Sequence, residues 1–328
     1  MFRKAIRTLS VASILATAGG LASPASATLT VTSQGAALGF SLTTFVSGFP
    51  FSGLGPIGLA VETNGNVLVN SVADSSNYVF ANTDNQVFAD HIGAGVSGIF
   101  CCGAYATSNG YTWGSQNGVL VRFNADGSIG ATFNNISTSN GLWTNSVNGH
   151  LLGDNPGIID IDVSDPNAPV ATVVPGAVGG DGITVSPDGK TVYNTGITGY
   201  DIATGTIVYG PHFVSGADGM GIISSSNALN GNIVVNTNFG QLILLDPTGA
   251  NPDIVIADSG SRGDYTTPDP NGTLLITQSD SIMRLSCGRD CGIGTSPPPT
   301  GAPEPITLSL FGAGLAGVGA MRRRRKIA

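Results

Sequence analysis

Between Thr28 and Ser286 the apolar positions come in short runs of Val, Ile, Leu and Tyr, separated by turns that contain Gly, Asn, Asp and Pro. Helical spacing of apolar residues is nearly absent there, so the pattern predicts an all-β region. The turn pairs recur: Asn64-Gly65, Asp126-Gly127, Asn148-Gly149, Asp188-Gly189, Asn230-Gly231 and Asn271-Gly272. Each supplies residues that tolerate the positive φ a tight hairpin demands.

The segments ahead of four of these hairpins align with one another. Pro56-Ile57-Gly58-Leu59-Ala60-Val61, Gly180-Asp181-Gly182-Ile183-Thr184-Val185, Ala217-Asp218-Gly219-Met220-Gly221-Ile222 and Arg262-Gly263-Asp264-Tyr265 each precede one, and weaker copies start near Gly98 and Gly141. The starts fall about forty residues apart, the length of a four-stranded propeller blade. Counting them predicts a β-propeller of about six blades between residues 55 and 285, or seven if the irregular stretch holds one more. Leu29 to Val46 would complete the last blade by pairing with it, and a closed ring leaves no sheet edge to defend. A β-sandwich of this length would need two domains, yet no linker divides the chain, and a β-solenoid repeats at a shorter period.

The best copy, Gly182-Ile183-Thr184-Val185-Ser186-Pro187-Asp188-Gly189-Lys190-Thr191-Val192-Tyr193, resembles YVTN-type propeller repeats, and Tyr200-Asp201-Ile202-Ala203-Thr204-Gly205 resembles their third strand and its turn. Ile159-Asp160-Ile161-Asp162-Val163-Ser164-Asp165-Pro166-Asn167-Ala168-Pro169-Val170 resembles the same position in LVIVD-type repeats. These resemblances imply an architecture and leave activity open.

Two apolar stretches break the β pattern. Arg3, Lys4 and Arg7 precede Leu9 to Leu21 and then Ala25-Ser26-Ala27, which reads as a signal peptide over 1–27 and implies export and a signal peptidase. Near the other end, Ile306 to Met321 carries no charge and is followed by Arg322-Arg323-Arg324-Arg325-Lys326, the pattern of a membrane segment with a cationic stop. Its length corresponds to roughly 24 Å of helix, short of the ~30 Å hydrocarbon core, and its glycines lower helix propensity, which suits a temporary anchor. Helix association through its small residues would leave Pro303-Glu304-Pro305 without a role, and a plain C-terminal membrane anchor is the bland alternative. The triplet, apolar segment and basic end together resemble the PEP-CTERM sorting signal of Gram-negative bacteria, recognised by exosortase-type membrane proteases. That resemblance implies processing near the triplet, with Pro303, Glu304, Pro305, Arg322, Arg323, Arg324 and Arg325 as sorting residues. The protein would be held transiently in the inner membrane and then delivered to the cell surface or the extracellular matrix. The expected organisation is a signal peptide (1–27), a propeller (28–294), a Pro-rich spacer (295–302) and the sorting signal (303–328; membrane segment 306–321, basic end 322–326).

Charge narrows the partners. The whole chain carries −8, but residues 28 to 302 hold five cations against nineteen Asp and Glu62, a net −15. Nucleic acid is excluded, because phosphate binding needs a basic surface. Export makes disulfides the expectation for Cys287 with Cys291, which would close a small loop, and for Cys101 and Cys102, as a vicinal pair or with other partners. A metal site is the rival, though no His adjoins either pair.

Asp181, Asp218 and Asp264 are the recurring acidic set, one at the start of each of three repeats, where innermost strands would meet the channel. On adjacent blades they would converge on one mouth and could bind Ca²⁺. The structural reading, Asp-Gly as a turn cap that recurs because the blade recurs, is the stronger expectation. Lactonase-type propellers place a metal in that channel, but their Glu and Asn ligands find no match here. His91, His150 and His212 fall in different repeats and read as surface or turn residues; Asp160 and Asp162 share one strand face. Trp113, Trp143, Tyr105 and Tyr111 read first as inter-blade packing and second as a carbohydrate-stacking surface. Arg262-Gly263-Asp264 spells a cell-adhesion tripeptide by chance. No nucleophile elbow, zinc motif or phosphate loop is present. The sequence therefore favours a non-catalytic binding or scaffold propeller acting on extracellular polysaccharide or protein, with a metal-dependent propeller hydrolase, lactonase or lyase as the alternative.

Overall fold

Local turn chemistry and crowding around one axis build the fold in the computed structural model, which describes residues 28–50, 53–100, 103–154, 156–288 and 290–294. At Asn64, Asp126, Asn148, Asp188 and Asn271 the side-chain oxygen accepts the backbone N–H two residues on, at 2.8–3.1 Å. The glycine that follows each takes positive φ, so every one of these pairs closes a hairpin. Asn109-Gly110 and Asn117-Gly118 make two further turns, with both residues at positive φ as a two-residue hairpin requires.

Six antiparallel blades result. The first is Pro56–Val61, Val67–Ser71, Ser76–Phe80 and Ile92–Ser97; the second is Tyr105–Ser108, Tyr111–Gln116, Val119–Phe123 and Ile129–Ser137. The third is Leu142–Thr144, Leu151–Asp154, Gly157–Asp162 and Val170–Val178; the fourth is Ile183–Val185, Thr191–Asn194, Gly199–Asp201 and Ile207–Tyr209. The fifth is Ala217–Ser225, Ile233–Thr237, Leu242–Leu245 and Ile254–Asp258, and the sixth is Thr266–Pro268, Leu274–Thr277 and Ser281–Ser286 with Ser41–Ser47 as its outer strand. The first strands touch one another in cyclic order and the sixth touches the first, so the ring closes. Leu59, Val67, Leu120, Leu151, Ile161, Val192, Val234 and Leu275 are among the side chains sealed within and between the blades.

The leading segment is shared between two blades. Ser41–Ser47 pairs antiparallel with Ser281–Ser286, but Thr30–Val31 pairs with the outer strand of blade five. A five-residue helix, Ser33–Ala37, separates them, because Thr32 Oγ1 accepts the Gly35 N–H at 3.0 Å and caps it. At the other end, Cys287 and Cys291 form a disulfide, and Cys291–Ile293 adds to the end of the inner strand of blade five.

Arg284 fastens the seam. Its guanidinium contacts Asp84 at 2.7 Å and Asp269 at 2.5 Å, donates to Asn82 Oδ1 and Thr273 Oγ1, and stacks over Phe45 on the N-terminal strand. Blades six and one are thereby joined through one buried cation. Among the described residues no helix is long and apolar enough to cross a membrane. The signal peptide, Cys101, Cys102, the spacer, the segment 306–321 and the sorting residues Pro303, Glu304, Pro305 and Arg322 to Arg325 lie outside the described residues.

Candidate functional site: an acid-lined channel mouth

Innermost strands crowd at the axis, and this is why glycine recurs beside the aspartates. A Cβ on Gly182 would stand 2.0 Å from the Asp218 carbonyl of the next blade, and one on Gly219 would meet the Tyr265 backbone at 2.8 Å. Glycine lets each first strand pass close to the next, and the neighbouring aspartate is carried to the channel. Asp181, Asp218 and Asp264 come together there, lining one cavity of about 160 Å³ with Asn140, Arg262, Tyr265, Leu54 and Ile57. Their carboxylates are not folded back on their own turns. Asp181 Oδ1 accepts from Asn140 Nδ2 at 2.9 Å, and Asp264 Oδ1 meets Arg262 at 2.5 Å.

Arg262 holds the centre of the set. It stands 4.0 Å from Asp218 Oδ2 and donates from Nε to Asn238 Oδ1 at 2.9 Å. One cation does not balance the mouth. Burial, then the charges of Asp264 and Asp181, push Asp218 up to about 8, against the pull of Asn238 and Arg262. Burial also raises Asp264 to about 6, with Arg262 opposing and Asp181 adding to the rise. Among the described residues, Asp264 Oδ2 is buried and accepts no hydrogen bond. Asp154 supports the rim from below: its oxygens accept the N–H groups of Gly141 at 2.8 Å and Gly180 at 3.2 Å, tying blades three and four, and burial raises it to about 6. Among the described residues no group of three or more His, Cys, Asp and Glu is arranged to hold a metal ion.

The floor of the mouth is Tyr265. Its hydroxyl lies 2.8 Å from the carbonyls of both Tyr105 and Leu142, on two other blades, so it spans the channel and closes it. The other candidates are dispersed. His91 packs against Tyr78, His150 pairs with Asp160 at 2.8 Å and lies near Asp162, and His212 pairs with Asp253 at 2.9 Å. Trp113 and Tyr105 are packing residues, whereas half-exposed Tyr111 lies under Arg122. Asn140 and Asp154 carry no signal in the sequence, and Arg262 stands there as the start of a repeat and part of a chance tripeptide, with no role in the site. The signal available for Arg262 was its place two residues before Asp264 in a segment with few cations.

A PEP-CTERM protein-sorting motif matches residues 302–325, which implies export, membrane anchoring and exosortase processing. The gluconolactonase of Xanthomonas campestris superposes with a TM-score of 0.53 at 14% identity, over 78% of this chain and 94% of that one. A second protein assigned as a gluconolactonase gives 0.53 at 14%, over 79% and 97%. Virginiamycin B lyase of Staphylococcus aureus gives 0.49 at 16%, over 75% and 99%. At 14% identity the likeness to the two gluconolactonase structures is one of fold. No curated protein sequence matches the chain.

Proposed function

We propose that this exported PEP-CTERM propeller is a non-catalytic binding or scaffold protein of the cell surface or extracellular matrix, and that Asp181, Asp218 and Asp264 form its docking point. The size of the mouth carries this reading. At about 160 Å³ it lies below the roughly 300–1,000 Å³ of small-molecule sites, and it offers room for one side chain or one sugar edge. Its unbalanced carboxyls favour a partner that donates hydrogen bonds or brings positive charge, as extracellular polysaccharide or a basic protein segment does. The described chain ends at Gly294, against Trp143 and Pro268 at the opposite end of the channel. The acidic mouth therefore lies at the end of the channel opposite Gly294.

A second reading, a metal-dependent hydrolase, lactonase or lyase, draws on the raised carboxyls of Asp218 and Asp264, which suit acid–base work. It requires the three aspartates to gather on an ion such as Ca²⁺ in place of Arg262. Retention of the purified chain on extracellular polymer should fall about tenfold or more when Asp181 and Asp264 are both changed to Asn, as for two lost charge-assisted contacts. Turnover of lactones, esters or glycans that is lost in the same variant, or calorimetric uptake of Ca²⁺, Zn²⁺ or Mg²⁺, would favour the enzyme instead.

For sorting, deletion of Ile306 to Ala328 is expected to send the body to the periplasm or medium without surface processing. Envelope retention after that deletion would show that the propeller decides location.

A further inference from the structure

A larger cavity opens at the other end of the channel, where neither reading places a role. It measures about 600 Å³ and is lined by the ends of the first strands of blades one, two, three and six with their turns. Val61, Leu142, Trp143, Pro268 and Pro270 give it apolar walls, and no Lys, Arg or His is among the described residues that line it. Glu62, the one glutamate between residues 28 and 302, lines it while only 5% exposed. Its Oε2 accepts a single bond from Asn64 Nδ2, at 3.2 Å.

The donors nearby are largely spent. The amides of Asn82 and Asn271 both donate to Asp269 Oδ2, and the hydroxyls of Thr107 and Thr144 donate to the carbonyls of Val61 and Thr107. Asp269 is in turn paired with Arg284 at 2.5 Å, which leaves Glu62, among the described residues, as the lining carboxyl with no cation on it. A ligand for this wall must donate and must not be anionic. A sugar hydroxyl asks for a donor as well as an acceptor, whereas an ammonium group only donates.

We propose that this cavity binds a small organic amine, with its ammonium group on the Glu62 carboxylate and its apolar body against Trp143 and Pro268. Burial pushes the Glu62 carboxyl up to about 7, with Asn64 opposing and the charge of Asp126 on the blade-two turn adding to the rise. An ammonium group would hold it ionised, so proton and amine compete for one site. Asp269 also faces the cavity, where it is paired with Arg284, a cation it shares with Asp84.

The test is calorimetry on the full-length chain with benzylamine as the probe and benzyl alcohol and benzoate as neutral and anionic controls. Benzylamine alone is expected to saturate the site, and its affinity should drop about tenfold from pH 8 to pH 6 as the ionised share of Glu62 falls. Glu62→Gln should lose at least about tenfold in affinity, the same loss of the ionised partner made permanent. Asp218→Asn should keep both affinity and pH dependence, which separates this cavity from the acidic mouth. Should Glu62→Gln fail to fold, Ser146→Lys at the exposed rim supplies a competing ammonium and should weaken the probe. Benzyl alcohol binding as well as benzylamine, an affinity flat between pH 6 and 8, or undiminished binding by Glu62→Gln would each overturn the proposal.

Discussion

Replacing Arg284 with methionine is expected to cost the propeller about 3–5 kcal/mol, the range for removing one partner from a buried ionic cluster. The guanidinium is the shared counter-ion of Asp84 and Asp269, and Asp269 is 1% exposed. Methionine keeps much of the packing over Phe45 but leaves Asp269 charged and buried, faced by the Asn82 and Asn271 side-chain amides and the Asn271 backbone N–H and by no cation among the described residues. The loss falls on the seam where the N-terminal strand and blade six meet blade one, so unfolding should begin there and remain cooperative around the ring. A melting temperature lower by about 10 °C is the corresponding thermal readout for a domain of this size. Adding Asp269→Asn to Arg284→Met removes the stranded charge and should recover part of the loss. A single-variant cost below about 1 kcal/mol, the worth of an exposed pair, would show the seam to be held by strand pairing alone.

Much of this fold is written locally. The Asx hydrogen bonds at Asn64, Asp188 and Asn271 depend on neighbours two residues away, so the hairpins, and from them the forty-residue period, can be read without knowing what packs on what. The division of the leading segment cannot be read in this way. Thr30–Val31 and Ser41–Ser47 are both short apolar-alternating pieces, and what sends them to different blades is a capped helical turn docked on Ile256, more than two hundred residues away. The site divides similarly. Asp181, Asp218 and Asp264 share a column of the repeat, and a ring turns such a column into a cluster. Asn140 and Arg262 stand outside that column, yet the first holds Asp181 by a hydrogen bond and the second brings the cation that Asp218 and Asp264 share. Glu62 was legible only as the single glutamate of the propeller, because its cavity is assembled from four blades.

Asp218→Asn is expected to stabilise the protein at alkaline pH and leave it unchanged in mild acid. The Asp218 carboxyl is raised from 3.8 to about 8, so between those values the folded state keeps a proton that the unfolded chain releases. Stability must then fall as pH rises through this window, because the folded state binds more protons. Asp264 and Asp154, raised to about 6, and Glu62, raised to about 7, act in the same direction over narrower windows. The wild-type melting temperature should therefore decline from pH 5 to pH 8.5. The amide introduced by Asp218→Asn carries no charge to bury, so the variant should decline less and exceed the wild type at pH 8.5 by about 2 kcal/mol or more, a conservative share of the free energy that one pKa unit represents several times over. Superimposable melting curves at pH 8.5 would mean that Arg262 already neutralises Asp218. A gain at alkaline pH would mean instead that the mouth holds charge at the expense of the ring's own stability, as a docking point for a cationic or hydrogen-bond-donating partner does and a turn cap does not. Partner retention on the same variant completes the argument: if Asp218 serves binding, stability and retention should move in opposite directions.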